Sequence, residues 1–238
     1  MRLFPPPSAP AALPAWPLPL VAGLLPMVAT LVALVLSTRL GLIPACNPFL
    51  DGCVSISRAA RHELPNHLFR ALVLPAAALQ ALTWVLAARW LQGLGQAGRG
   101  LRVLPWLGLF AGAALALYGS FLGTEGAVYR LLRQYGTVVY FGFTCIAMLV
   151  AGGAIARAVT AGTLRVPRGL HHALVALGVA LVLLGLVNAV LSAALQDPAK
   201  DVVQNVTEWW GGAIFVAVFL ALAAIWRRSG LRLQLVAP

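Results

Sequence analysis

Apolar positions come along this chain in six long runs, at about 17–38, 67–90, 103–123, 134–157, 169–195 and 206–226. A helix rises about 1.5 Å per residue, so about 20 residues cross a hydrocarbon core of about 30 Å. The runs are continuous and rich in Leu and Ala. A membrane barrel would instead show alternating segments of about 10 residues. The pattern therefore predicts an all-α polytopic membrane protein, a six-transmembrane-helix bundle forming one domain over residues 1–238. The polar breaks between runs are short except the first, 39–66, which is long enough to be functional.

Composition agrees and removes the soluble alternative. The chain has 238 residues, 61% of them hydrophobic and 10% charged, against about 25% charged in a soluble domain. Its start, MRLFPPPSAP, carries one Arg and four prolines. The apolar run after it exceeds the 7–15 residues of a signal-peptide core, so the first span is expected to remain.

Charge gives the runs a direction. The net charge is +11. The connections at about 91–102 and 158–168 and the tail after 226 hold Arg99, Arg102, Arg165, Arg168, Arg227, Arg228 and Arg232, with no acid among them. All six carboxylates, Asp51, Glu63, Glu125, Asp197, Asp201 and Glu208, lie at the other helix ends. Lys and Arg are retained on the cytoplasmic side. The expected location is the inner membrane with both termini cytoplasmic. Trp16, Trp90, Trp106 and Trp226 then fall at inner helix ends, and Trp209 and Trp210 at an outer one, the headgroup level that indole favours.

The first outer loop, running into the second span, reads CNPFLDGCVSISRAARHELPNHLFR over residues 46–70. NPFLDG is turn chemistry. SISRAARHELP predicts a short helix capped by Ser55 or Ser57, ended by Pro65, with Asn66 capping the second span. Cys46 and Cys53 flank the turn; outside the cell they are free to form a disulfide, to stay as thiols or to bind metal. A three-histidine zinc site is not expected. His62 and His67 are poorly spaced around Pro65, and His171 and His172 lie at the inner end.

Polar groups recur at one depth near the outer leaflet. They are Asp51, Ser57, Arg58, Arg61, Glu63 and Arg70 in the first loop and second span. Arg130 and Arg133 follow in the fourth span, Asn188 in the fifth, and Asn205 and Trp209 at the sixth. Ionisable groups in or near spans are costly and tend to face a cavity, so an outward-opening polar pocket is expected. The arginines are candidates to grip a phosphate. His62, Glu125 and Glu208 are the candidate catalytic groups, His62 as proton shuttle and a carboxylate as general base. Mutual neutralisation of these acids and arginines is the plainer reading. No motif for a cofactor occurs, and none is expected.

The stretch SISRAARHELPNHLFRALVLPAAALQALTWVLAARW resembles the first outer loop and second span of the Frag1/DRAM/Sfk1 family. The likeness rests on Ile56–Ser57, Pro65, Phe69–Arg70, the six-span layout and Glu208–Trp209. In place of the usual acid after Ile-Ser, this chain has Arg58. The resemblance implies lipid handling at the outer leaflet. The expected function is binding or remodelling of lipid or a lipid-linked molecule, and the alternative is a non-enzymatic sensor, scaffold or assembly factor. Expected partners are membrane lipids, a lipid-linked substrate or another membrane protein, and no nucleic acid. A transporter would need mid-membrane ionisable groups, and the spans show almost none.

Overall fold

The computed structural model describes residues 12–234; the proline-rich start MRLFPPPSAP lies outside them. Seven helices follow a short strand, β1 (Ala12–Pro14): α1 (Pro17–Arg39), α2 (Ile56–Ala59), α3 (Glu63–Gly93), α4 (Arg99–Phe121), α5 (Ala127–Thr160), α6 (Arg168–Ala194) and α7 (Ala199–Ser229). All but α2 are long and apolar enough to cross a membrane. The protein is an all-α helical membrane bundle. A second strand, β2 (Arg232–Gln234), pairs antiparallel with β1 and joins the two chain ends at one end of the bundle.

The helices overrun the apolar runs. α5 and α7 each begin seven residues earlier than their hydropathy does, about two turns at 3.6 residues per turn. Backbone hydrogen bonding carries a helix past the lipid boundary where the apolar pattern has already stopped. These polar turns stand at the acid-bearing end and frame the connection between α1 and α3.

The six spans form a closed ring in the order α1, α3, α4, α5, α6, α7 and back to α1. Small residues set the close contacts: a Cβ at Gly112 would come within 2.8 Å of the Ala77 carbonyl, so α3 and α4 touch backbone to backbone there. The α5–α6 seam is the thinnest. α6 buries only Leu174, Gly178 and Leu181 and turns the rest of its surface outward, as lipid permits.

The two halves of the ring are filled differently. Towards the arginine-rich end, Trp84, Leu91, Leu104, Ile155, Phe219, Leu222 and Trp226 pack into one solid core. Trp226 is therefore a buried core aromatic, and Trp209 is buried at the other end with Ile43, Val54 and Ala59, whereas Trp106 and Trp210 stay exposed. The expected headgroup anchoring fails for Trp226 because helix packing encloses it, and for Trp209 because the first connection covers it.

Within the first connection, α2 is one turn long. Ser55 caps it, accepting from the Arg58 amide at 3.1 Å. Pro65 does not end it. His62 occupies the N-cap of α3, and Pro65 lies in the first turn of that helix, where its missing N–H has no partner to lose. Asn66 is buried rather than capping: its side-chain amide donates to the Ala60 and Leu122 carbonyls, both at 3.0 Å, tying this connection to the α4 end. Cys46 and Cys53 are joined as a disulfide.

Candidate functional site

The acid-bearing half of the bundle is hollow. A cavity of about 360 Å³ lies among α1, α3, α4, α5 and α7, beneath Phe49 and Ile56 of the first connection. Its walls are almost wholly apolar, with Phe69, Val73, Leu115, Phe141 and Phe215 among them.

The floor is a hydrogen-bonded knot. Pro26 in α1 has no N–H, so the carbonyl of Ala22 four residues earlier loses its helical partner. The Gln80 side-chain amide of α3 donates to that carbonyl at 3.1 Å. Its Oε1 in turn accepts from the Tyr140 hydroxyl of α5 at 3.1 Å. Phe219 of α7 completes the floor, packed on Trp84 below with ring centres 5.4 Å apart.

The roof is polar. Glu208 reaches the cavity from the first turn of the sixth apolar run. Its carboxylate lies against the backbone amides of Ile56 and Ser57 and feels the charge of Arg61. Tyr118 and Thr137 join it on the cavity surface. Arg61 remains exposed, but desolvation first, and then Arg133 and Arg58, lower its pKa from the ordinary value. Arginine stays protonated regardless.

A side opening completes the cavity. Met27 and Leu31 of α1 line it and are 36% and 43% exposed. Ala213 of α7 also lines it and is exposed. These residues stand in the middle of apolar helices, so the gap between α1 and α7 faces hydrocarbon.

The expected site residues separate into groups. Glu208 and Trp209 line the cavity. The Trp209 indole, however, donates to the Val54 carbonyl at 2.8 Å, and Asn205 donates to the Gly52 carbonyl at 2.7 Å. Both clamp the first connection onto α7. Arg133 donates to the Phe121 carbonyl at 2.9 Å and to the Thr124 carbonyl, holding the α4–α5 turn. Asn188 accepts from Thr207 at 2.9 Å across the α6–α7 seam. Asp51 accepts from the Asn47 amide at 2.9 Å and closes its own turn. Ser57 shares a 3.1 Å contact with Ser55, and its carbonyl accepts from Arg61 at 3.4 Å. Arg58, Glu63, Glu125 and Arg130 are exposed, and His62 and Arg70 are partly buried; none of the six lines the cavity. His171 and His172 lie at the far end with ring centres 4.1 Å apart and ring planes tilted by 53°.

Gln80, Tyr118, Thr137 and Tyr140 were not among the expected site residues. Each is a polar side chain inside an apolar run, and Gln80 acquires its role only through Pro26 on another helix. Set against protein-family models, curated proteins and solved structures, the chain matches none of them.

Proposed function

We propose that this membrane protein lies in the inner membrane with its acid-bearing end outward and both termini cytoplasmic. There it binds, or remodels, a lipid or lipid-linked molecule of the outer leaflet. The observation that carries this reading is the hollow half of the bundle: an apolar cavity with a polar roof and a side opening towards hydrocarbon. An amphiphile meets all three features at once. Its tail replaces the empty volume, and its head meets Glu208, Tyr118 and the guanidinium of Arg61. The resemblance of the first connection and α3 to the Frag1/DRAM/Sfk1 family points the same way.

Glu208 is the one carboxylate of the chain on the cavity surface among the described residues. It is the candidate base towards a ligand hydroxyl, or a hydrogen-bond acceptor from an ammonium head. A non-enzymatic carrier or sensor is favoured by a separate observation. Arg133, Asn188, Asn205 and Trp209 all spend hydrogen bonds on the scaffold, which leaves few groups for catalysis.

The test is native mass spectrometry of the full chain purified in bilayer-like lipid, alongside Glu208→Ala and Arg61→Ala. The expected result is a retained lipid in the wild type and at least about tenfold less in either variant, about 1.4 kcal/mol. Turnover of the retained lipid would identify an enzyme. A wild type that retains no lipid, or variants that retain it equally, would overturn the reading.

A further inference from the structure

The cavity has a definite height, width and floor, and these say more about an occupant than its greasy walls do. From Glu208 at the roof to Phe219 at the floor, α7 rises about 16 Å at 1.5 Å per residue. Half of a hydrocarbon core of about 30 Å is close to the same length. The cavity is therefore about as tall as one leaflet. Below it lies the solid core of Trp84, Leu91 and their neighbours.

Its volume limits the number of chains. An apolar cavity of about 150 Å³ takes one benzene. On that scale the 360 Å³ cavity holds on the order of a dozen carbons. This is one aliphatic chain, not two. The opening between Met27 and Leu31 on one side and Ala213 on the other lies partway along this height, so a chain can enter sideways without its head crossing the bilayer. Above the roof, the exposed Arg58 and Arg61 stand three residues apart on the first connection, with Arg133 near enough to act on the charge of Arg61, and guanidinium groups favour an anion.

We propose that the cavity takes a single aliphatic chain of an anionic lipid, entering between α1 and α7, and that the Gln80–Tyr140–Phe219 floor measures the chain length accepted. This rests on the lipid-binding reading above and sharpens it. The Gln80 knot suits the task because it is fixed at three points: the Ala22 carbonyl, the Tyr140 hydroxyl and its own helix. A chain end meeting it cannot push further towards the core.

The experiment compares the chain lengths of lipid released from the purified full chain with those of the surrounding membrane. Val216→Phe fills the cavity one turn above the floor residue Phe219 and Leu220. It is expected to shift the bound chains shorter by one helical turn, about 5.4 Å or on the order of four carbons. Gln80→Ala deepens the cavity and is expected to admit longer chains. Leu186→Phe, on the exposed face of α6, is expected to change nothing. The mass of the bound species separates a phospholipid from a free fatty acid, both of which present one chain and one anion to the site. Bound lipid with the same chain lengths as the membrane in the wild type, or unmoved by Val216→Phe and Gln80→Ala, overturns the ruler and leaves lipid binding standing. An absence of bound lipid in the wild type overturns both.

Discussion

At the residue scale, Gln80 shows how a polar side chain is kept within a membrane. Hydrocarbon offers no partners, so each of its groups must be met by protein. The carbonyl freed by Pro26 and the hydroxyl of Tyr140 meet them. Gln80→Leu leaves both partners bare. Interhelical hydrogen bonds in bilayers contribute about 0.6 kcal/mol on average and up to about 1.7. The expected loss is about 1–3 kcal/mol, read as a lower Tm in thermal unfolding from lipid nanodiscs. A Pro26→Ala background restores the helical donor to Ala22, so in that background Gln80→Leu is expected to cost less. An equal cost in both backgrounds would refute the coupling of Pro26 to Gln80.

At the element scale, the connection between α1 and α3 is a fixed cover rather than a loose loop. Ser37 donates to the Ala59 carbonyl at 2.6 Å, Trp209 and Trp210 donate to Val54 and Phe49, and Asn205 holds Gly52. Gly52 has a φ of +58°, and a Cβ there would collide with the Val202 carbonyl of α7. Gly52→Ala is expected to cost about 1–3 kcal/mol through backbone strain alone, and to expose residues 46–58 to protease. The disulfide staples the same element. Replacing Cys46 and Cys53 by Ser is expected to lower stability by roughly 2 kcal/mol, given the short loop they close. The check is Tm with and without reductant: the wild type should fall to the level of the double variant, which should not respond.

The whole molecule sets a solid half against a hollow one, and this division matches the charge. The core fills the arginine-rich end, and the cavity opens at the end that carries the carboxylates. Topology is testable in isolation from function. With Cys145 replaced by Ala, and Cys46 and Cys53 joined as a disulfide, the thiol of Thr163→Cys is expected to be shielded from an impermeant thiol reagent applied outside intact cells, and that of Gln196→Cys to react. The reverse pattern would invert the orientation and move the cavity to the inner leaflet.

Much of this was legible residue by residue. Six runs marked six spans, since a helix that satisfies its own backbone needs only apolar side chains to sit in lipid. Separated acids and arginines marked the two ends, and of Ser55 and Ser57, both read as caps for a short helix ending at Pro65, Ser55 caps a helix of a single turn. Glu208 and Trp209 were picked out, but the partners of the other polar groups were not. A side chain's hydrogen-bond partner on another helix depends on rotation about the helix axis, which hydropathy does not encode when all sides are apolar. For the same reason the sequence is silent about voids. Gln80, Tyr118 and Tyr140 became a floor and a roof because ring closure turned them towards one cavity, and Arg133 came to hold the α4–α5 turn while Arg58 and Arg61 stayed exposed. Span number, polarity of the ends and the cover's turn chemistry follow from local properties of the chain. The cavity, its height and its side opening follow from how six helices meet, a property that no single segment contains.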